Sequence, residues 1–204
     1  MTPTTLLSPT ARTAAQLHPL LAGRRSTRAF DPAHELSPDQ VTALLEAARW
    51  APSASNSQPW RFAVALRGTP AHAAVLATLA PGNAVWARTA SALVVAAAAT
   101  VGSEGDDRPW AVYDTGQAVA HLSLQAEHEG LSVHQLGGFD RDALSAVLAS
   151  PGTVVPVVVL VVGRHDAAVR LEEPFAAREA AVRTRLPLEG LTLQVASGRS
   201  RPLV

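Results

Sequence analysis

The sequence predicts an α+β or α/β sandwich in which helices alternate with roughly four strands around one core. Three observations carry this. A chain of 204 residues is long enough for one domain with a substantial core and too short for two ordinary ones. Segments with apolar residues at helical spacing alternate with short alanine-rich or β-branched runs. The run from Val154 to Val162, interrupted only by Pro156, is too β-branched for a comfortable helix and reads as a buried strand. Periodicity alone does not choose the strand order.

Residues 1 to 10 read as a loosely held end. Ala11 to Ala22 is rich in alanine and leucine and reads as a helix stopped by Gly23. Ser37-Pro38-Asp39-Gln40 supplies an N-cap, a proline at the first helical position and a capping-box glutamine. Val41, Leu44, Leu45 and Ala48 then recur at helical spacing, and Pro52 ends this helix near Trp50. Ser53 to Pro59 is a polar loop, Trp60 to Leu66 a strand, Ala71 to Leu79 a helix and Ala92 to Ala99 a strand. Glycines at 102 and 105 turn the chain, and Trp110 to Glu129 reads as one long helix stopped by Gly130. Leu131 to Leu136 is a short strand and Arg141 to Leu148 a helix, before the strand from Val154 to Val162. From His165 onward charge mixes with short apolar groups, with too little periodicity for the segment to pack on itself, so a tail that packs on a partner subunit is expected. Residues 197 to 204 read as a second loose end.

Seventeen basic residues balance seventeen acidic ones, so the whole molecule has no electrostatic reason to seek nucleic acid or an anionic membrane. Any anion site must be a local cluster. The chain has no lysine, which leaves Schiff-base chemistry without a residue, and every fixed cation is an arginine. It also has no cysteine, which removes disulfides, thiol catalysis and Cys-ligated metal together and makes the cytoplasm the expected location. The longest apolar run is about half the length that crosses a bilayer, so a soluble protein is expected. His121 and His128 are the closest histidine pair that could share a helix face. Their Cα atoms would lie about 10 Å apart along the axis, too far to chelate one ion easily.

No Gly-x-Gly-x-x-Gly, P-loop or Gly-x-Ser-x-Gly elbow is present, which argues against a dinucleotide-binding Rossmann unit, an NTPase and an α/β-hydrolase. Arg24-Arg25-Ser26-Thr27-Arg28 places three arginines and a hydroxyl within five residues, the donor chemistry a phosphomonoester requires; a solvated basic turn has the same composition. Arg183-Thr184-Arg185 repeats that chemistry far away in sequence. Two such clusters in a chain of zero net charge suggest one anion held from two sides. Pro52-Ser53-Ala54-Ser55-Asn56-Ser57-Gln58-Pro59-Trp60 sets amides and hydroxyls between two prolines, a stiff loop preorganised for a polar, planar ligand.

Taken in order, the arginine segment and this loop resemble the opening of the nitroreductase family of FMN enzymes. Asp114-Thr115-Gly116 is similar to the start of the helix that forms much of the family's dimer core, and Leu136-Gly137-Gly138-Phe139-Asp140 resembles its flavin N5 loop. Gly163-Arg164 is similar to the close of its last core strand, and Arg183-Thr184-Arg185-Leu186-Pro187 resembles its second phosphate clamp. The resemblance implies an α+β sandwich with a central mixed β-sheet flanked by helices, a homodimer, and a tail at 165–204 that wraps the partner subunit. It implies that Arg24, Arg25, Ser26, Arg183 and Arg185 hold the FMN phosphate and that Arg28 reaches the pyrimidine end of the ring. Pro52, Ser53, Ala54 and Asn56 are implied to approach the flavin from the other subunit. Asn83 either bonds the ring edge or simply ends a helix after Pro81-Gly82. Gly137 and Gly138 are implied to offer main-chain N–H groups at N5 and O4; some relatives carry glutamate at the first of these, so a wider pocket is expected here. No side chain need act as a general acid, and no metal is expected. The implied activity is ping-pong hydride transfer from NADH or NADPH to a small electron-poor acceptor such as a nitroaromatic or quinone. Dehydrogenation, dehalogenation, flavin cleavage and flavin sequestration also occur on this kind of fold. The short connection from Thr100 to Pro109 would make a poor lid for sequestration.

Overall fold

A computed structural model of the chain describes residue 13 and residues 15–193. The two expected loose ends, 1 to 10 and 197 to 204, lie outside the described residues. Among the described residues eleven α-helices and strands follow one another: α1 (Pro19–Gly23), α2 (Pro38–Arg49), β1 (Trp60–Leu66), α3 (Pro70–Ala77), α4 (Pro81–Ala87), β2 (Ala92–Ala99), α5 (Ala111–His128), β3 (Ser132–Leu136), α6 (Arg141–Leu148), β4 (Val154–Gly163) and α7 (Phe175–Ala180). The four strands form one sheet in the order β1-β2-β4-β3.

All three pairings are antiparallel, which corrects the expectation of a mixed sheet: the described residues of one chain supply no parallel neighbour. Side chains alternate between two core layers, as the period of a strand requires. Ala92, Val94 and Ala96 of β2, with Leu160 and Val162 of β4, pack under Leu44 and Ala48 of α2 and Ala118, Leu122 and Ala126 of α5. Leu93, Val95, Val159 and Val161 face the other way, onto Val75 of α3, Trp86 of α4 and Leu144 of α6. With helices on both faces, β2 is buried at every residue, which is why it reads as a continuous apolar run. Pro156 cannot donate to a ladder, and the register between β2 and β4 shifts beside it: Ala97 faces Pro156 and Ala96 faces Val158.

The capping box of α2 forms as its sequence predicts, Ser37 Oγ accepting from the Gln40 N–H and the Gln40 side chain from the Ser37 N–H. The first helix is a correction. Residues 15–18 are not helical and α1 starts only at Pro19, because a proline lacks the N–H and clashes with the preceding turn, so it begins a helix rather than sitting within one. In the tail α7 forms, and Leu171 and Phe175 pack against the core of their own chain. Among the described residues no helix is long and apolar enough to cross a membrane.

Candidate cofactor site

The arginine segment leaves α1 at its C-cap, Arg24, and runs beside β3, where His134 Nδ1 donates to the Thr27 carbonyl at 2.9 Å. Since a carbonyl only accepts, the histidine proton sits on Nδ1. The tail returns over this segment. Both terminal nitrogens of Arg183 donate to main-chain carbonyls, those of Arg24 and Ala22, which fixes the second arginine cluster against the first. Arg24 donates to Ser26 Oγ at 3.4 Å. Burial, and then repulsion from Arg183 and Arg185, holds the Arg24 guanidinium below its ordinary value against the pull of Glu127. Arg24, Ser26, Arg183 and Arg185 are therefore together, as the sequence suggests, with Arg185 exposed. Arg25 is differently engaged: it pairs with Glu179 Oε1 at 3.0 Å and also donates to the Glu179 carbonyl.

Farther along, the Arg28 guanidinium lies 5.7 Å above the centre of the Trp86 ring, and Trp86 leans on His134 with ring centres 4.6 Å apart. A cation over an aromatic face is attracted by the ring's quadrupole, so Arg28 is given a direction by α4. Asn83 is the third residue of α4, in its first turn, which removes the alternative that it ends a helix. Its Nδ2 donates to the Gly138 carbonyl at 3.3 Å, and the Gly138 carbonyl also accepts from the Ala80 N–H at 3.0 Å. A Cβ on Gly138 would stand 2.8 Å from Asn83 Nδ2, so a side chain there would displace the Asn83 amide. A Cβ on Gly137 would meet nothing within 4 Å. The N–H groups of both glycines make no hydrogen bond among the described residues and stand exposed.

The loop from Pro52 to Pro59 holds three non-glycine residues in left-handed backbone: Ser55 at φ 50°, Asn56 at φ 55° and Gln58 at φ 43°. Such conformations cost free energy and persist only where the surroundings hold them. Here the buried carboxylate of Asp114 accepts from the Ala54 N–H at 3.0 Å, and Ser53 Oγ accepts from the Gln58 N–H at 3.1 Å. One chain does not bring this loop to the arginines. The loop feeds β1, whereas Gly137 and Gly138 follow β3, and these strands are the opposite edges of the sheet. Three strand spacings separate them by about 14 Å. Asp114 and Glu127, which face the loop and the arginines respectively, lie at opposite ends of α5, roughly 20 Å apart along its axis.

The sequence profile of the nitroreductase family matches residues 21–164. The chain belongs to the nitroreductase family. A Bacillus subtilis (strain 168) protein named "Putative NAD(P)H nitroreductase YdgI" is 29% identical over 182 residues, spanning 71% of this chain and 86% of that one. A protein of Salmonella typhimurium named as an oxygen-insensitive NAD(P)H nitroreductase is 40% identical over 60 residues, 29% of this chain and 27% of its own. Among solved structures, one described as an oxidoreductase containing FMN superposes with a TM-score of 0.85 at 30% identity, covering 93% of this chain and 95% of that one. The nitroreductase family match ends at Arg164, so the tail that carries Arg183 and Arg185 lies beyond it.

Sequence reasoning misses four residues that shape this candidate site, Trp86, Glu127, His134 and Glu179, and reads Asp114 only in the motif similar to the start of the family's dimer-core helix, not as a partner of the loop. A buried carboxylate at the first turn of a long helix, near a loop rich in N–H donors, was a usable signal for it. Nothing local marks Glu179 or His134, whose partners are 152 and 107 residues away.

Proposed function

We propose that this chain is an FMN-dependent oxidoreductase that uses NADH or NADPH to reduce a small electron-poor acceptor, such as a nitroaromatic or quinone, by a ping-pong cycle in a homodimer. The observation that carries this reading is the convergence of Arg24, Ser26, Arg183 and Arg185 from segments about 160 residues apart. Three guanidiniums and a hydroxyl match the charge and donor count of a phosphomonoester. The donor set fits FMN at the other end as well, since two glycine N–H groups without partners among the described residues adjoin the Asn83 amide, on the helix whose Trp86 carries the Arg28 cation.

Arg24, Ser26, Arg183 and Arg185 hold the phosphate in this reading, with Arg25 beside them. Arg28, fixed over Trp86, faces the pyrimidine end, where its charge offsets negative charge gained on reduction. Asn83 and the main chain of Gly137 and Gly138 bond the ring edge without adding an ionisable group. Bound FMN supplies a two-electron carrier between nicotinamide and acceptor. Pro52, Ser53, Ala54 and Asn56 come from the second subunit, because within one chain the loop sits at the far edge of the sheet. The exposed face of α5, with Tyr113, Gly116 and Ala120, is the surface that pairs the subunits in this reading.

The test is direct. Purified full-length protein is expected to be yellow, to release FMN on denaturation, and to oxidise NADH or NADPH steadily when a quinone is added. Tight FMN with no nicotinamide oxidation would mark a flavin store; absence of bound FMN, with none taken up on titration, would overturn the reading.

A further inference from the structure

The Glu179 carboxylate, in the last turn of α7, has more partners than a tail residue needs. Oε1 accepts from Thr27 Oγ at 2.6 Å, and Oε2 accepts from the Arg28 N–H at 2.8 Å. Arg25 forms an ion pair with the same carboxylate, and His165 Nε2 lies 3.9 Å from it. The glutamate side chain is only 14% exposed, so these contacts are made largely out of water, where charge-assisted bonds are strong. Thr27 is fully buried, and its Oγ accepts in turn from the Ala29 N–H at 3.0 Å. One carboxylate thus fixes three positions of the segment, 25, 27 and 28 being held through a guanidinium, a hydroxyl and a main-chain N–H.

We propose that Glu179 is the positioning residue of the cofactor-binding arginine segment, and that Arg25 acts through Glu179 rather than on the phosphate. This rests on the flavin reading above. The charge of Arg25 is already answered by Glu179, whereas Arg24, Arg183 and Arg185 crowd one another with the Glu127 carboxylate beside Arg24 and Arg183, three cations to one anion. The phosphate therefore belongs to those three and to Ser26. Glu179 sets the backbone between Arg24 and Arg28 so that one arginine meets the phosphate while the other stays over Trp86.

The alternative is that Arg25 grips the phosphate itself and Glu179 merely anchors the tail. The two ideas predict opposite results. Full-length protein stripped of flavin is titrated with FMN and with riboflavin, following flavin fluorescence, for the wild type, Glu179→Gln, Arg25→Gln and the double variant. The proposal expects Glu179→Gln to weaken FMN about tenfold, with a smaller loss for riboflavin, which has no phosphate. Arg25→Gln should cost the same factor, and the double variant no more than either single one, because both changes break one ion pair. A tail anchor would move FMN and riboflavin equally. An FMN affinity that is unchanged or tighter in Glu179→Gln, or single losses that multiply in the double variant, would overturn the proposal. Thr27→Val removes one donor to Glu179 at nearly constant shape and serves if Glu179→Gln does not fold; a loss of about threefold for FMN is expected, and no loss refutes the proposal. A wild type that binds neither flavin overturns the flavin reading itself, and this inference with it.

Discussion

At the scale of single residues, electrostatics decides most of what can be tested. Arg24 is held near two other guanidiniums, and removing its charge, or that of Arg185, should relieve repulsion in the empty site while costing a phosphate contact. Arg24→Ala and Arg185→Ala are each expected to weaken FMN by about tenfold to a hundredfold, the worth of one charge-assisted contact. Equal FMN affinity in wild type and both variants, measured by titration, would remove the phosphate from this cluster. The histidines make a separate prediction. Burial is the first cause that lowers His34, His72, His134 and His165 below the ordinary histidine value. A base whose folded value is depressed stays neutral in the fold while the unfolded chain takes up a proton below about pH 6.5, so stability is complete above that pH and is lost as pH falls. Glu127, raised by burial, acts with the opposite sign, but nearer the carboxylate range. The thermal midpoint at fixed flavin concentration is therefore expected to be level above about pH 7 and to fall between about pH 6.5 and 5. A midpoint that rises on acidification over that interval would contradict it.

At the scale of elements, α5 carries two faces with different partners. Ala118, Leu122 and Ala126 are buried against the sheet, while Tyr113, Gly116 and Ala120 stand exposed at helical spacing. If that second face pairs the subunits, Ala120→Glu places a carboxylate in an apolar contact and should give a monomer without FMN, seen by sedimentation with flavin absorbance. A flavin-loaded dimer in that variant would put the contact elsewhere. The four strands, α2, α5 and α6 were legible to within a residue or so, because each has a clean period or a cap. What was lost was short. The seven residues of α4 span two turns, too few for a period to show, yet Pro19, Pro38, Pro70 and Pro81 each stand at the first turn of a helix, and that proline rule would have found α4 and trimmed α1. The arginine clusters and the glycine loop were visible because their chemistry is local. Trp86 under Arg28, and Glu179 against Thr27, were not, since each pairing is made by topology alone.

At the scale of the molecule, the proposed site depends on the tail. Truncation after Gly163 removes Glu179, Arg183 and Arg185 together, and strips Leu171 and Phe175 from the second half of the core. Colourless, aggregating protein is expected; a soluble monomer that binds FMN one to one would show that the tail is dispensable. The contact between Arg25 and Glu179 also spans 154 residues, which gives it a place in time as well as in space. A ribosome makes about 5 to 20 residues each second, so roughly eight to thirty seconds separate the synthesis of the two partners. During that interval the arginine segment waits beside a half-built sheet with no anion clamp behind it. In the proposed reading, the phosphate cluster is incomplete until residue 185 has been made. If that reading holds, cofactor loading follows synthesis of the tail, and chains made without flavin are expected to be complete but empty.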